Sequence, residues 1–332
     1  MSDPMAGEPV TSSETADERS DSPAPVRDEV YFASPQAGET VDEVLLEPPR
    51  RRRWLVPLVL FLATCLTTFF AGVYQWPADR FPFDDQAAVW VARNWWDGLR
   101  YMLAVLGILF AHEMGHFLMT VRYGIHASYP IFVPFPLFMG TMGAVIAMDG
   151  RQADRKQMFD IGIAGPLAGL VVAIPVLCFG VLQARLEVPG PGMHISGDPV
   201  LAELLIRWLR PEAAAGAEVF LPGNPLYMAG WVGMLVTGLN MMPISQLDGG
   251  HVIYGLFRRR AHYLARAFLL VAIGYMIVSE NYTWTLMIVI VTFLGVDHPA
   301  TADDCVRLGR GRYVLGLASL AIPVLCFIPN PF

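Results

Sequence analysis

The chain has few cysteines, and their spacing does not suggest a disulfide framework. Its 332 residues include four cysteines, which are widely separated: Cys65, Cys178, Cys305 and Cys326. This spacing excludes a CxxC metal knuckle and a small disulfide-stapled fold. The soluble segments also lack a basic patch interleaved with aromatic residues, the kind that follows a phosphate backbone, so we expect no nucleic-acid partner.

The N-terminal segment lacks apolar periodicity. Residues 1–49 are rich in Pro, Ser, Asp and Glu, and the first apolar run begins only at Trp54, so no secretory signal is indicated. Such a composition buries too little apolar surface to offset the entropy of ordering. We therefore expect a disordered, acidic, cytoplasmic tail over residues 1–49, or alternatively an arm that folds on a partner. A membrane-embedded domain over residues 50–332 follows it.

Charge is scarce in the rest of the chain. The sequence is 54% hydrophobic and 16% charged, its mean hydropathy is +0.44, and residues 54–74 contain no charged side chain. A helix needs about 20 apolar residues to cross the bilayer core. Further apolar runs cover residues 101–121, 161–182, 226–247, 263–278, 282–296 and 313–328. The sequence therefore predicts an all-α polytopic membrane protein with six to seven transmembrane helices, the count being a range because two of these runs are short. The alternative is that the runs are core helices of a soluble protein, but such helices would need polar faces towards water.

Arginine and lysine residues cluster in every second loop between the predicted spans. They precede the first span and follow the second, fourth and sixth spans: Arg50 to Arg53; Arg122, Arg151, Arg155 and Lys156; Arg258 to Arg260; and Arg307, Arg310 and Arg312. Cytoplasmic loops carry an excess of these residues. The pattern predicts a cytoplasmic N-terminus. Because no transit peptide is evident, we expect a multi-pass protein of a bacterial inner (cell) membrane.

The second predicted span contains an HExxH pattern, whose fixed residues are His112, Glu113 and His116. On a helix, the spacing of i and i+4 places both imidazoles on one face, where they can reach one tetrahedral zinc ion. Glu113 follows His112 directly and is therefore close enough to take a proton from water at the metal. The alternative is a trio of side chains satisfied by hydrogen bonds in a helix bundle. That alternative is disfavoured because ionisable groups within an apolar span are costly.

A zinc site of this kind needs a third protein ligand and an open fourth position. The candidate ligand is Asp248, in the run NMMPISQLDGGH that closes the fourth predicted span. The second and fourth spans run in the same direction under the arginine pattern, so Asp248 reaches the same depth as His112 and His116. The alternative is an aspartate at a helix end in an Asp-Gly turn.

The two motifs together, HEMGH and a later NxxPxxxLDGG run, resemble the site-2 protease family of intramembrane zinc metalloproteases. The resemblance covers residues 107–251. It implies that His112, His116 and Asp248 hold one Zn²⁺ ion and that Glu113 is the general base. Asn240 then matches the family's asparagine near the scissile peptide, where its amide binds the substrate backbone or the developing oxyanion. An interhelical hydrogen bond is the alternative for Asn240.

Residues 129–146 contain prolines and glycines that exclude a regular spanning helix. By the same resemblance they form a short re-entrant β-hairpin between the second and third helices, beside which an unwound substrate adds as an edge strand. A cytoplasmic loop on the membrane surface is the alternative. Gly165 and Gly169 give a GxxxG spacing in the third span, which we interpret as close helix packing.

These features predict a metalloendopeptidase domain over residues 50–332 that hydrolyses peptide bonds in or near transmembrane segments of membrane proteins, as in regulated intramembrane proteolysis. We expect its substrates to lie in the lipid bilayer and to have been cut already on their external side. The alternative is a non-proteolytic metal-binding transporter or channel, which would have polar groups across the full membrane thickness. His126 and His251 flank the motifs, and we leave both outside the catalytic set.

Overall fold

The computed structural model describes residues 54–74, 87–136, 139–148, 150–184, 197–211, 223–244 and 246–328. Within them the protein is mostly helical and has one two-stranded sheet. In chain order the elements are α1 Leu55–Tyr74, α2 Ala87–Arg122, β1 Ile131–Pro134, β2 Thr141–Val145, α3 Arg155–Gln183, α4 Val200–Leu209, α5 Pro225–Asn240, α6 Asp248–Phe257, α7 Ala261–Ser279, α8 Thr285–Leu294, α9 Arg310–Ser319 and α10 Ala321–Cys326. The predicted tail over residues 1–49 lies outside the described residues.

Four helical segments of the described chain are long and apolar enough to cross a bilayer: α1, α2, α3 and the segment Asp248–Ser279, which comprises α6 and α7. A helix of 20 residues such as α1 is about 30 Å long, which matches the thickness of the hydrocarbon core. The prediction of a helical integral membrane protein is therefore confirmed. The predicted count of six to seven spans is not confirmed by these four helices.

Prolines shorten two of the other predicted spans. Helix α5 ends at Asn240, because Pro243 has no N–H to donate and its ring would clash with the carbonyl of Leu239. In the same way Pro323 ends α9 at Ser319, and the short helix α10 follows. Helix α8 has only ten residues. None of these three helices reaches the length that a membrane span needs by itself.

Helix α5 forms the centre of the bundle and packs against α2, α3 and α10. All its residues from Tyr227 to Gly238 are buried, including Trp231. Proline occupies the first helical position, where a missing N–H is harmless, and the side chain of Asn224 accepts hydrogen bonds from the backbone of Leu226 and Tyr227 at 2.9 and 3.1 Å. A helix that is apolar on all sides belongs inside a bundle, and α5 thereby sets the positions of α2 and α3.

Strands β1 and β2 form the predicted β-hairpin. Their antiparallel register pairs Ile131 with Val145, Phe132 with Ala144 and Pro134 with Thr141. The hydroxyl of Thr67 on α1 donates to the carbonyl of Gly140 at 2.5 Å, and the hydroxyl of Tyr101 on α2 donates to the carbonyl of Met139 at 2.9 Å. Both of the first two helices therefore hold the tip of the hairpin.

Candidate metal centre

Helix α2 positions the two histidines of the HExxH pattern. His112 and His116 are one turn apart on the same face, with ring centroids 5.1 Å apart. Both are buried, with 2% and 7% of their surface exposed. Because α2 packs against α3 and α5, the imidazoles point into the bundle and not towards lipid.

Asp248 is the first residue of α6 and not the end of a spanning helix. The chain turns back after α5 so closely that a Cβ at Gly249 would overlap the carbonyl of Met241. This turn brings the carboxylate of Asp248 against both histidines: Oδ2 is 3.1 Å from Nε2 of His112, and Oδ1 is 3.3 Å from Nε2 of His116. The three possible ligand atoms all lie within 4.8 Å of one another.

A backbone hydrogen bond orients His116. Its Nδ1 lies 2.8 Å from the carbonyl oxygen of Ile161 on α3, and because a carbonyl only accepts, Nδ1 carries the hydrogen. In the neutral ring Nε2 is then bare, and Nε2 is the nitrogen beside Asp248. One nitrogen held by a carbonyl and the other with a free lone pair is the usual arrangement of a metal-binding histidine.

Glu113 and Asp248 line one cavity of about 140 Å³. Glu113 is buried, with 4% of its surface exposed, and the backbone of Ile146, directly after β2, faces its carboxylate. Val145 and His251 also line this cavity. A single water needs roughly 15 Å³ of such volume, so the cavity has room for water together with part of a peptide.

Asn240, the last residue of α5, lies beside the same cluster. Its Nδ2 is 3.3 Å from Nε2 of His112, an interhelical hydrogen bond between α5 and α2 that corresponds to the alternative named for Asn240. The structure thus brings together every predicted site residue: His112, Glu113, His116, Asn240 and Asp248. Their catalytic roles stay predictions. His126, in contrast, is exposed in the segment between α2 and β1.

The sequence model of peptidase family M50 matches residues 100–279, which include both motifs and more than half of the chain. The chain belongs to peptidase family M50. The resemblance to the site-2 proteases, drawn from the HEMGH and LDGG motifs, is thereby confirmed.

Two of the proteins that are similar to this M50 chain carry the names of plant metalloproteases. The chain is 30% identical over 233 residues to "Probable zinc metalloprotease EGY1, chloroplastic" of Arabidopsis thaliana, and the aligned region covers 68% of this chain and 42% of the relative. It is 27% identical over 242 residues to "Probable zinc metalloprotease EGY2, chloroplastic" of the same plant, with 71% and 42% covered. The chain spans about two fifths of the length of these two relatives. No solved structure matches the chain significantly.

The M50 site also depends on glycines that sequence reasoning did not count as site residues. On α3, a Cβ at Gly165 would overlap the ring of His116, and a Cβ at Gly169 would lie 3.0 Å from Nδ1 of His112. The GxxxG spacing indicated close helix approach, but the room it makes is occupied by the two imidazoles. The shared spacing of four residues in GxxxG and HExxH was the signal that could have identified this match.

Proposed function

We propose that this protein is an intramembrane zinc metalloprotease that hydrolyses peptide bonds in or near transmembrane segments of other membrane proteins. The observation that carries the proposal is the buried cluster of His112, His116 and Asp248, whose ligand atoms lie within 4.8 Å of one another. Membership of a peptidase family and the names of the relatives support the same activity.

The donor set fits one Zn²⁺ ion. Two imidazoles and one carboxylate are ligands that zinc accepts, and three protein ligands leave the fourth position open, as catalytic sites require. His112 and His116 would bind through Nε2, the nitrogen that each has beside Asp248. A zinc ion held there supplies Lewis acidity, which lowers the pKa of water and polarises a peptide carbonyl.

Two polar side chains of the cavity are assigned chemical roles. Glu113 is the general base: a carboxylate oxygen takes a proton from the attacking water, and the carboxylic acid then returns a proton to the nitrogen of the leaving amine. Its burial beside Asp248 supports this role. Asn240 donates its amide N–H to the substrate backbone or to the peptide oxygen, on which negative charge develops during attack.

The substrate must be extended where it is cut, because a helix keeps its carbonyls in hydrogen bonds. Strand β2 offers an edge for such a segment, since Ala144 and Val145 line the cavity and Met142 is exposed. A substrate strand that pairs with β2 would pass its backbone next to Glu113. We propose membrane proteins already cut on their external side as substrates, since a shortened segment has one free end from which to unwind.

We also propose six to seven spans and a hairpin that re-enters the membrane. Phe61 and Thr67 lie in the middle of α1, and both contact the hairpin. The ring of Phe61 packs against that of Phe132, with centroids 5.1 Å apart, and the hydroxyl of Thr67 donates to the carbonyl of Gly140. With α1 across the bilayer, these contacts support a hairpin at membrane depth, where irregular backbone needs cover from protein or water. Helices α5, α8 and α9 with α10 supply the further apolar segments.

We propose that the protein lies in a bacterial inner membrane with a cytoplasmic N-terminus; the arginine pattern supports this orientation. In bacteria, alkaline phosphatase fused after Gln183 should therefore be active outside the cytoplasm, and the same enzyme fused after Arg260 should be inactive. The reverse result would overturn this orientation.

The experiment that tests the activity compares wild-type protein with Glu113→Gln, both purified in detergent, on a model transmembrane substrate. We expect the substitution to reduce cleavage by at least about a hundredfold while bound zinc, measured by atomic absorption, is retained. Equal cleavage by both proteins would remove the general-base assignment. Zinc binding without any cleavage by the wild type would instead favour a metal-binding transporter or channel.

A further inference from the structure

We propose that His251 is a substrate-binding residue of this site, whose free ring nitrogen accepts a hydrogen bond from a backbone N–H of the substrate, and that His298 holds His251 in the required state. The inference rests on the proposed proteolytic function and adds a specific contact for the peptide. His251 lies outside the HExxH pattern and the metal-binding cluster, and His298 lies far along the chain between α8 and α9.

His251 lies one helical turn after Asp248 on α6 and lines the catalytic cavity together with Glu113. Its position is tightly set from α3, because a Cβ added to Gly162 would be 2.6 Å from the Cβ of His251. Nδ1 of His251 lies 2.6 Å from Nε2 of His298, which belongs to the segment between α8 and α9. Helix α6 thus presents one carboxylate and one imidazole to the same small space.

The hydrogen-bond chain beyond His298 determines which nitrogens carry hydrogen. Nδ1 of His298 is 2.5 Å from the carbonyl oxygen of Pro299, and because a carbonyl only accepts, this Nδ1 is the donor. In a neutral ring Nε2 of His298 is then the acceptor, so the hydrogen between the two rings belongs to Nδ1 of His251. A neutral His251 therefore has a bare Nε2, which can accept but cannot donate.

Two observations support this arrangement. Burial lowers the pKa of His298 to about 4, so its ring is neutral near pH 7. Among the described residues, Nε2 of His251 has no hydrogen-bond partner. If this atom were fully buried, it would be a buried polar atom without a partner, but among the described residues that group contains the hydroxyl of Tyr74 and not Nε2 of His251. Nε2 of His251 is therefore accessible rather than enclosed, and the residue lines the cavity.

His298 is itself held in place, as a positioning residue must be. The ring of Tyr254 stacks on it with centroids 4.3 Å apart and planes inclined by 16°, and the Tyr254 hydroxyl donates to Asp304 at 2.8 Å. Nε2 of His262 donates to the backbone carbonyl of His298 at 3.2 Å. This support fixes the ring of His298, which in turn fixes the orientation and tautomer of His251.

A peptide N–H is the group that fits a bare nitrogen here. An extended substrate exposes one N–H and one C=O at each residue, and both need partners in a site with little water. Asn240 is placed as a donor for a carbonyl, and Glu113 is engaged with water under the proposed mechanism. His251 provides the complementary acceptor.

Two substitutions distinguish the roles of the two ring nitrogens of His251. Asparagine places an amide nitrogen near the former Nδ1, so His251→Asn keeps a donor to His298 but removes the acceptor in the cavity. Glutamine places an amide oxygen near the former Nε2, so His251→Gln keeps the acceptor. Likewise His298→Gln keeps an acceptor for Nδ1 of His251, whereas His298→Ala removes it.

Binding is measured in the Glu113→Gln background, which is expected to bind without turnover. The probe is a fluorescent synthetic transmembrane peptide of roughly 25 residues with a central Asn-Gly pair, and the proteins are in lipid nanodiscs. We expect His251→Asn and His298→Ala to raise the Kd about tenfold, and both glutamine variants to stay within about threefold of the background. Equal Kd values for asparagine and glutamine at position 251 would overturn the proposal.

Backbone esters locate the contact without changing the protein. In a series of probes, one amide N–H at a time around the Asn-Gly pair is replaced by an ester oxygen. For the protein with an unchanged His251, the ester at one position should lower the affinity of the probe about tenfold. For the His251→Asn protein, the ester at that position should cause no further loss of affinity. Additive losses at every position would contradict a hydrogen bond to His251.

Zinc content and melting temperature verify that each variant is folded. If a variant at position 251 or 298 does not fold, the ester series still tests the proposal, because it is measured on a protein that keeps both histidines. Cleavage by the wild type is measured in parallel. If the wild type cleaves but neither the esters nor His251→Asn change the Kd, only the His251 assignment fails. If the wild type does not cleave, the proposed function fails.

Discussion

At the scale of single residues, the site depends on side chains that are absent as well as on those that are present. Gly165 and Gly169 leave the space between α2 and α3 in which the rings of His116 and His112 lie. A glycine costs a helix interior about 1 kcal/mol relative to alanine. In α3 that cost is offset by two buried imidazoles that could not otherwise face Asp248.

Gly165→Ala should displace His116 and weaken zinc binding, because the added methyl group overlaps its ring. We expect at least about a tenfold loss of metal affinity, measured by competition with a chelator of known affinity, together with loss of cleavage. Gly107→Ala on α2 is the matched control, since nothing lies within 4 Å of its added Cβ. Full zinc affinity in Gly165→Ala would contradict the packing argument.

At the scale of elements, the tip of the hairpin is locked against α1. Gly140 has a φ of +77°, and a Cβ there would lie 2.5 Å from the Cα of Thr68. Strand β2 begins one residue later and leads to Ile146 beside Glu113. The position of the tip therefore determines where the edge of β2 meets the cavity.

Gly140→Ala should push the hairpin away from α1 and reduce cleavage by about tenfold or more, since a displaced edge misplaces the substrate backbone. Gly124→Ala is the control: its φ is +67° and nothing lies within 4 Å of its added Cβ. Both variants carry the left-handed cost of roughly 1–2 kcal/mol, but only Gly140→Ala adds the overlap. Cleavage rates and hydrogen exchange of the hairpin amides check this, and equal effects would refute it.

A buried arginine joins the start of α3 to the end of α6 and to the C-terminal segment. Arg155 is 3% exposed and donates to the carbonyls of Gly255, Leu256 and Val306 at 2.8, 3.2 and 3.3 Å, and to the hydroxyl of Tyr313 at 3.0 Å. The carbonyls at a helix C-terminus lack partners within the helix, and a cation satisfies them here.

Arg155→Gln should destabilise the protein by about 3 kcal/mol, because it leaves buried carbonyls without donors. In detergent we expect the melting temperature to fall by about 5 °C or more. Arg310→Gln, at an exposed arginine that begins α9, should change it by less than about 2 °C. A similar shift for both variants would show that Arg155 is not a structural link.

At the scale of the whole molecule, the candidate metal ties together distant parts of the chain. His112 and Asp248 are 136 residues apart in sequence, and they belong to α2 and α6. An ion that binds only the folded arrangement stabilises it by mass action. Stability and activity should therefore respond to zinc together.

Removal of zinc with a chelator should abolish cleavage and lower the melting temperature of the wild type. At free zinc about a hundredfold above the Kd, the stabilisation is about 2.7 kcal/mol, and readdition of zinc should restore both properties. Asp248→Asn, which lacks one charged ligand, should melt at nearly the same temperature with and without the chelator. An equal response in the two proteins would place the zinc elsewhere.

The sequence by itself determined the features that depend on neighbours along the chain. Apolar runs predict spanning helices because a span needs only length and composition, and HExxH places His112 and His116 on one face because helical spacing is local. Asp248 could be assigned as a partner from its motif and from the arginine pattern. The hairpin followed from prolines and glycines together with the family resemblance.

Only the tertiary structure decided which distant surfaces meet. The turn after Pro243 makes Asp248 the start of a new helix, the glycines of α3 face the imidazoles of α2, and His251 meets His298 across 47 residues. Each of these facts is a contact between segments whose relative placement depends on how the whole bundle packs. Local spacing carries no information about such contacts, because the same helix faces could pair in other ways.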